Sequence, residues 1–333
     1  MAALPSDEAL GDLFAPLDGA AGVLAAVSGG PDSIALMHLL ARWRAGGMRP
    51  RIVVATVDHG LRPESAAEAA FVARAAQELG LPHRVLAWTG EKPRTGLQEA
   101  AREARYALLV RWAQGEGASH LVTAHTLDDQ AETILMRLAK GSGPAGLAGM
   151  RRVRDRGGVL HLRPLLGWQK SALLRLCEEQ GWDYVSDPSN ADERFARVRW
   201  RRIMPDLAAE GLTAERLARF GARMALAEEA LDAKAREAFE RMRLVAGERE
   251  LTLEAGPIAG EPFEIAVRVL DLALGSIGLD NSRLHRLEAC AERLREAVRK
   301  GEGLGLTIAG AVLRLEASGK LLLRPEPPRL RGR

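Results

Sequence analysis

Cysteine is nearly missing: the 333 residues include two, Cys177 and Cys290. Two thiols so far apart in sequence make no disulfide framework, no CxxC redox pair and no cysteine-rich zinc or iron–sulfur site, and they suit a reducing, cytoplasmic setting. Aromatic residues are scarce as well, at 4%, which argues against an RNA surface built mainly on base stacking. No apolar run approaches the ~18 residues of a membrane span, so no membrane partner is expected. The first ten residues carry Asp7 and Glu8 and no basic residue, unlike a signal or transit peptide. Long heptads and low-complexity tracts are also absent, which sets aside coiled-coil, collagen and disordered classes. What is present is 47% hydrophobic residues, enough for one large or two ordinary cores.

Charge is unevenly placed. The formal total is +3, yet Met1–Met150 has 14 basic against 16 acidic residues, and Asp206–Arg333 has 21 of each. The excess lies in Arg151–Pro205, with 12 basic and 7 acidic residues, and is densest at Arg197, Arg199, Arg201 and Arg202. A local basic patch of this kind suits a nucleotide or a phosphate backbone, or else a solvated helix face in an arginine-biased chain.

Short apolar runs alternate with helical patterns. Strands are expected at Gly22–Val27, Arg51–Val57, His83–Trp88, His120–Ala124 and Val159–Leu162. Helices are expected over Asp32–Trp43, from the capping-type Ser65-Ala-Ala-Glu68 to Leu79, over Leu97–Gln114, from Thr126-Leu-Asp-Asp129 to about Lys140, and over Lys170–Gln180. Strand–helix alternation predicts an α/β fold: a doubly wound, mainly parallel sheet with helices on both faces and ligands beyond the carboxyl ends of the strands. After Pro205 the pattern turns helical through Val245, with further helices at Pro262–Ile277 and Ser282–Lys300. Short strands then follow at Leu304–Ile308, Ala311–Leu315 and Leu321–Arg324. The expected domains are therefore 1–205 and a smaller, mostly helical 206–333.

Two glycine-rich loops compete for a phosphate. Ser28-Gly29-Gly30-Pro31-Asp32-Ser33 joins the first strand to the first helix. Its glycines allow unusual backbone angles, its serines add hydroxyls, and the helix start favours an anion. Asp32 is out of place in a pure anion cradle but fits one that also holds Mg²⁺. Gly141-Ser-Gly-Pro-Ala-Gly146 matches GxGxxG in form but follows a helix, so the dinucleotide reading fails. Gly167-Trp-Gln-Lys170-Ser171 has the Lys-Ser pair of a P-loop without its glycines.

Ser28–Ser33 resembles the SGGxDS loop of the ATP pyrophosphatase (PP-loop) superfamily. Further motifs follow in order: Val57-Asp-His-Gly-Leu-Arg62, Gln98–Tyr106, Ala124-His-Thr-Leu-Asp-Asp-Gln-Ala-Glu-Thr133, Gly146–Met150, Arg163-Pro-Leu-Leu166 and Asp187-Pro-Ser-Asn190. Together, over about residues 22–202, they resemble the tRNA(Ile)-lysidine synthetase family. One departure is visible: where the family has Arg-Asn-Arg, this chain has Arg197-Val198-Arg199.

The resemblance implies a ligase that uses ATP, Mg²⁺ and free lysine to convert the wobble cytidine of the CAU anticodon of an isoleucine tRNA to lysidine. The base is first adenylated with loss of pyrophosphate; the lysine ε-amine then displaces AMP. At pH 7 only about one such amine in a few thousand is neutral, so a positioned base matters. The implied catalytic residues are Asp32, Arg105, His125, Asp129 and Arg197. Ser28–Ser33, Val57 and His59 would hold the nucleotide, and Arg199, Arg201 and Arg202 the RNA. His125 and Asp129, at i and i+4, are expected on one helix face, as are Asp128 and Glu132. A homodimer is compatible with the sequence. Kept beside this reading are another PP-loop enzyme, such as a tRNA thiolase or a small-molecule amidotransferase, and a non-catalytic nucleotide- or tRNA-binding module.

Overall fold

The computed structural model describes residues 4–47, 49–60, 65–90, 92–93, 95–186, 196–247, 249–279 and 284–327. Leu61 and Arg62 of the second motif and the whole Asp187–Asn190 motif lie outside them. The chain divides into two compact units, Met1–Met224 and Ala225–Arg333.

The first unit opens with α1 (Asp7–Phe14), capped by the Ser6 hydroxyl, which accepts from the Ala9 amide at 3.2 Å. β1 (Val23–Ala26) is buried along its length and leads into α2 (Pro31–Ala45). β2 (Ile52–Asp58), α3 (Ser65–Glu78), β3 (His83–Ala87) and α4 (Leu97–Gly115) follow. The chain then crosses back to β4 (His120–Thr123) and α5 (Leu127–Leu138), a short α6 (Pro144–Leu147), and the hairpin of β5 (Val153–Arg156) and β6 (Val159–Leu162). α7 (Lys170–Gln180) and α8 (Ala196–Ala209) complete the elements that form the site.

The sheet order is β3-β2-β1-β4-β6-β5, parallel except for the β5–β6 pair. β1 is flanked by β2 and β4, and the winding reverses between β1 and β4. The loops after these two strands therefore leave the sheet side by side at its carboxyl end, where open α/β sheets bind ligands. Apolar side chains from both faces are buried: Ile34, Leu36, Leu40 and Trp43 of α2 join α1 and α7 on one side, and Tyr106, Leu109 and Ala113 of α4 cover the other. α2 is covered over most of its first three turns, with eight of its fifteen residues buried, and is exposed only in its last turn at Arg42, Arg44 and Ala45.

The strands and helices expected up to Gln180 form, with ends shifted by a residue or two, but the helix expected through Val245 is broken after Ala209 and stops at Met242, where Arg243–Ala246 and then Leu251–Glu254 form two strands the sequence did not disclose. β5 is an addition. It is a charged edge strand (VRDR) turned back by Gly157 and Gly158 at φ +63° and +86°, angles that glycine adopts freely. Residue 205, where the sequence reading places the domain boundary, is inside α8; the compact units meet nineteen residues later.

The second unit takes the end of α9 (Ala214–Met242), then β7 (Arg243–Ala246), β8 (Leu251–Glu254), α10 (Phe263–Ser276), α11 (Leu284–Lys300), β9 (Leu304–Ile308), β10 (Ala311–Leu315) and β11 (Lys320–Pro325). Its short strands join one antiparallel sheet, ordered β7-β8-β11-β10-β9, against which the apolar sides of α10 and α11 pack. Arg268 of α10 holds α9 through Glu228 and Asp232, at 2.8 and 2.6 Å, and also pairs with Glu264 at 2.8 Å.

Candidate active site

β1 ends in the serine–glycine loop. Gly29 has φ +92°, a conformation L side chains avoid, and its carbonyl accepts from the Val185 amide at 2.9 Å. Gly30 caps α2 and Pro31 starts it, as a proline without an N–H can. The Ser33 hydroxyl donates to the Gly30 carbonyl at 2.9 Å and accepts from the Ser28 amide at 3.2 Å, which draws the loop into a tight cup.

Across from this cup, β4 ends at Thr123 and α5 begins with a closed capping box. The Thr126 hydroxyl accepts from the Asp129 amide at 3.3 Å, and Asp129 Oδ2 accepts from the Thr126 amide at 3.0 Å. A cleft of about 330 Å³ lies between the two loops. Its walls include Ser28, Gly30, Pro31, Asp32, Ser33, Arg105, His125, Asp129, Arg197 and Arg201, all anticipated, together with Arg102 and Lys170, which sequence reasoning passed over. Five cationic side chains thus face two carboxylates, a balance that suits a polyanionic ligand.

Lys170 is the residue most clearly missed. Its Nζ is 3.3 Å from Asp32 Oδ2, and its backbone amide donates to Asp128 Oδ2 at 2.7 Å, so Asp128 caps α7 and holds the lysine at the cleft. The expected Asp128–Glu132 pair is therefore split. Glu132, 1% exposed, instead takes Arg201 Nε at 2.5 Å, with Arg197 at 3.7 Å. Burial pushes the Glu132 carboxyl above its ordinary pKa, against the opposing pull of Arg201. Asp129 Oδ1 is 3.6 Å from Arg201 and 3.8 Å from Arg197.

The expected RNA trio also divides. Arg201 turns inward with Arg197, one helical turn away, whereas Arg199 and Arg202 of α8 are exposed. The shared helix face of His125 and Asp129 is corrected too. His125 precedes the N-cap Thr126 and is not helical; the two meet because the strand–helix turn brings both into the cleft. Arg105 reaches the cleft, with its pKa lowered chiefly by burial, and it remains a cation because a guanidinium does not deprotonate in proteins.

His59 does not reach this cleft. It lines a neighbouring one of about 550 Å³ that shares Arg102, Arg105 and Arg197 with the first, and its buried Nδ1 has no partner among the described residues. Val57 packs into the sheet core beside Tyr106 and Leu109. Trp168 and Trp182 pack against the α2 core and Trp200 against the α5–α8 contact.

Oxygen donors for a metal are few: among the described residues no three His, Cys, Asp or Glu side chains gather as ligands. Asp32 Oδ1, however, is buried without a hydrogen-bond partner, while burial raises the carboxyl's pKa against the pull of Lys170. An unpartnered carboxylate oxygen beside a phosphate cup fits Mg²⁺, which binds through one or two carboxylates plus phosphate oxygens.

His38 stacks on Trp182 at 4.1 Å and burial lowers its pKa to about 4; burial and Arg163 lower that of His161 to about 2. Both bases are neutral in the fold and charge more readily when unfolded, so stability is complete above the unfolded pKa of about 6.5 and falls as pH drops below it. Between pH 6.5 and 4.5, His38 alone should cost about 1 kcal/mol once solvent screening of its half-buried ring is allowed for. Urea unfolding of His38→Phe, which keeps a ring on Trp182, should be flatter in pH than wild type by that amount. Parallel curves would exclude the assignment.

The PP-loop domain family matches residues 4–207. The chain is 53% identical to a protein of Methylobacterium nodulans named tRNA(Ile)-lysidine synthase, over 94% of this chain and 93% of that one. It is 48% identical to a protein of the same name from Rhodopseudomonas palustris, over 96% and 95%. Among solved structures, the U34-tRNA thiolase NcsA of Methanococcus maripaludis, with its 4Fe-4S cluster, shares the fold. Its TM-score is 0.58 at 18% identity, over 66% of this chain and 77% of that one. The thiolase's chemistry does not carry over with the fold: Cys177 and Cys290 lie in different units, and burial pushes both thiols up to about 11.

Proposed function

The chain belongs to the tRNA(Ile)-lysidine synthases, within the PP-loop ATP-using class, and from that premise we propose how its cleft joins free lysine to C2 of the wobble cytidine in the CAU anticodon of tRNA(Ile). The observation that carries the reading is one cleft holding a phosphate cup, five cations and a carboxylate placed among them.

The Ser28–Ser33 cup and the start of α2 receive the triphosphate of ATP, with Lys170 beside it. Asp32 would hold Mg²⁺ through its unpartnered oxygen, and the ion would shield phosphate charge. Arg102 and Arg105 line both clefts, which supports a role for them between the α-phosphate and the RNA base. In the first step the cytosine C2 oxygen bonds to the α-phosphorus as the bond to pyrophosphate breaks; these two guanidiniums stabilise the charge that develops. In the second, the lysine ε-amine bonds to C2 and the C–O bond to AMP breaks. Asp129 holds the ammonium and takes a proton from the nitrogen. Arg199 and Arg202, exposed on α8, contact the tRNA backbone. No helix among the described residues is long and apolar enough to cross a membrane.

The test is mass spectrometry of an unmodified tRNA(Ile) transcript after incubation with ATP, Mg²⁺ and lysine. The expected product gains one lysine less one water on the anticodon cytidine, and pyrophosphate release depends on the tRNA. Pyrophosphate release indifferent to tRNA, or a product unchanged by lysine, would overturn the reading.

A further inference from the structure

The cleft histidine is the end of a buried chain of hydrogen bonds that no sequence motif discloses. Arg156 Nε and Arg163 NH2 lie 3.0 and 3.1 Å from His161 Nδ1. His161 Nε2 lies 2.8 Å from Thr123 Oγ1, and Thr123 Oγ1 lies 2.7 Å from His125 Nδ1. His161 and Thr123 are 0% and 1% exposed, so no bulk water offers alternative partners.

Donor and acceptor roles follow from what each group can do. A guanidinium only donates, so His161 Nδ1 is bare. A neutral imidazole with a bare Nδ1 carries its proton on Nε2, and that N–H points its bond at Thr123. The Thr123 hydroxyl has one hydrogen. Having accepted from His161, it has His125 Nδ1 as its remaining hydrogen-bond neighbour among the described residues. Were His125 Nδ1 also protonated, the hydroxyl hydrogen would be buried without an acceptor, a costly arrangement. The chain therefore runs one way, from two guanidiniums through His161 and Thr123 to His125.

We propose that Thr123 and His161 are positioning residues that fix His125 as the tautomer with its proton on Nε2, so that His125 presents the cleft with an N–H donor and not with a base. The proposal rests on the reaction assigned above and sharpens it: His125 donates to an anionic oxygen of the phosphate ester that activates the cytosine, and the lysine proton must go elsewhere, to Asp129. Burial and the nearby Arg105 lower the pKa of His125 well below its ordinary value, which agrees with a neutral ring.

The test begins with the full-length enzyme alone, labelled with ¹⁵N-histidine, whose two-bond proton–nitrogen correlations report the tautomer of each ring. His125 and His161 are both expected with bare Nδ1 and protonated Nε2 at pH 7; His125 protonated on Nδ1, or on both nitrogens, overturns the proposal. Thr123→Val removes the hydroxyl at nearly constant shape. Its expected effects are a mixed His125 tautomer and a fall of about tenfold to a hundredfold in kcat with the KM for ATP little changed. Thr123→Ser should restore both. A second pair of variants needs no change at Thr123: the amide of His125→Gln can reach the Nε2 position, whereas that of His125→Asn lies nearer Nδ1, so the glutamine variant should keep more activity. Equal loss in the two, or reduced activity in Thr123→Val with the tautomer unaltered, counts against the relay. A correct tautomer in an enzyme that makes no lysidine would instead defeat the assigned reaction.

Discussion

Asp129→Asn is expected to lose lysine transfer by a factor of about 10² to 10³, the usual worth of a positioned base, while adenylation of the tRNA falls far less. The amide oxygen of asparagine can still accept from the Thr126 amide, so the cap on α5 survives. What disappears is the negative charge that attracts the ammonium and the oxygen that takes its proton. A lysine amine is almost wholly protonated at neutral pH, so the second step suffers and the first does not. Single-turnover assays with ATP labelled at the α-phosphate separate the two: adenylated RNA should accumulate in the variant and persist when lysine is added. Equal loss of both steps would make Asp129 a structural cap and nothing more.

Glu132→Ala should have the largest effect on stability. The carboxylate is buried and answers two guanidiniums, Arg201 at 2.5 Å and Arg197 at 3.7 Å. Removing it leaves Arg197 and Arg201, each about a third exposed and still beside Asp129, so the cost falls short of a fully buried broken pair and is about 1 to 3 kcal/mol. α8 is held to α5 by this pair and by an apolar patch in which Trp200, Met204 and Leu207 meet Ala131, Ile134 and Leu135. The patch keeps the helix docked, but Arg197 and Arg201 are left with Asp129 as their anion, where they compete with the lysine ammonium. Glu132→Gln, which keeps an acceptor for Arg201, should be less destabilised than alanine. Urea denaturation with both variants decides the matter; an alanine variant as stable as wild type would show that the pair is solvent-relieved and of little weight.

The sheet was legible because its central strands are fully covered, and full burial leaves continuous apolar runs such as Val23–Ala26. β5 was not, because an edge strand is free to carry Arg154 and Arg156 and so has no apolar signature. Thr126 and Asp129 were legible as a cap because a capping box is local in sequence. Lys170 was not. Its own neighbours lack the glycines of a phosphate loop, and its place at the cleft is set by distant partners: Asp128, 42 residues earlier, takes its amide, and Asp32 takes its ammonium. Glu132 was read as half of a local acidic pair, and its true partner, Arg201, is 69 residues away. The boundary near 205 was read from the change of pattern there, whereas α8 runs through Pro205, held by its contact with α5. Local signals thus located the cleft, while the residues that set its charge were decided by tertiary contacts.

The hydrogen bond from the Lys170 amide to Asp128 has a mechanical meaning. Asp128 and Asp129 are consecutive on α5, so the helix that carries Lys170 and the acid that faces the cleft are braced to a single strut.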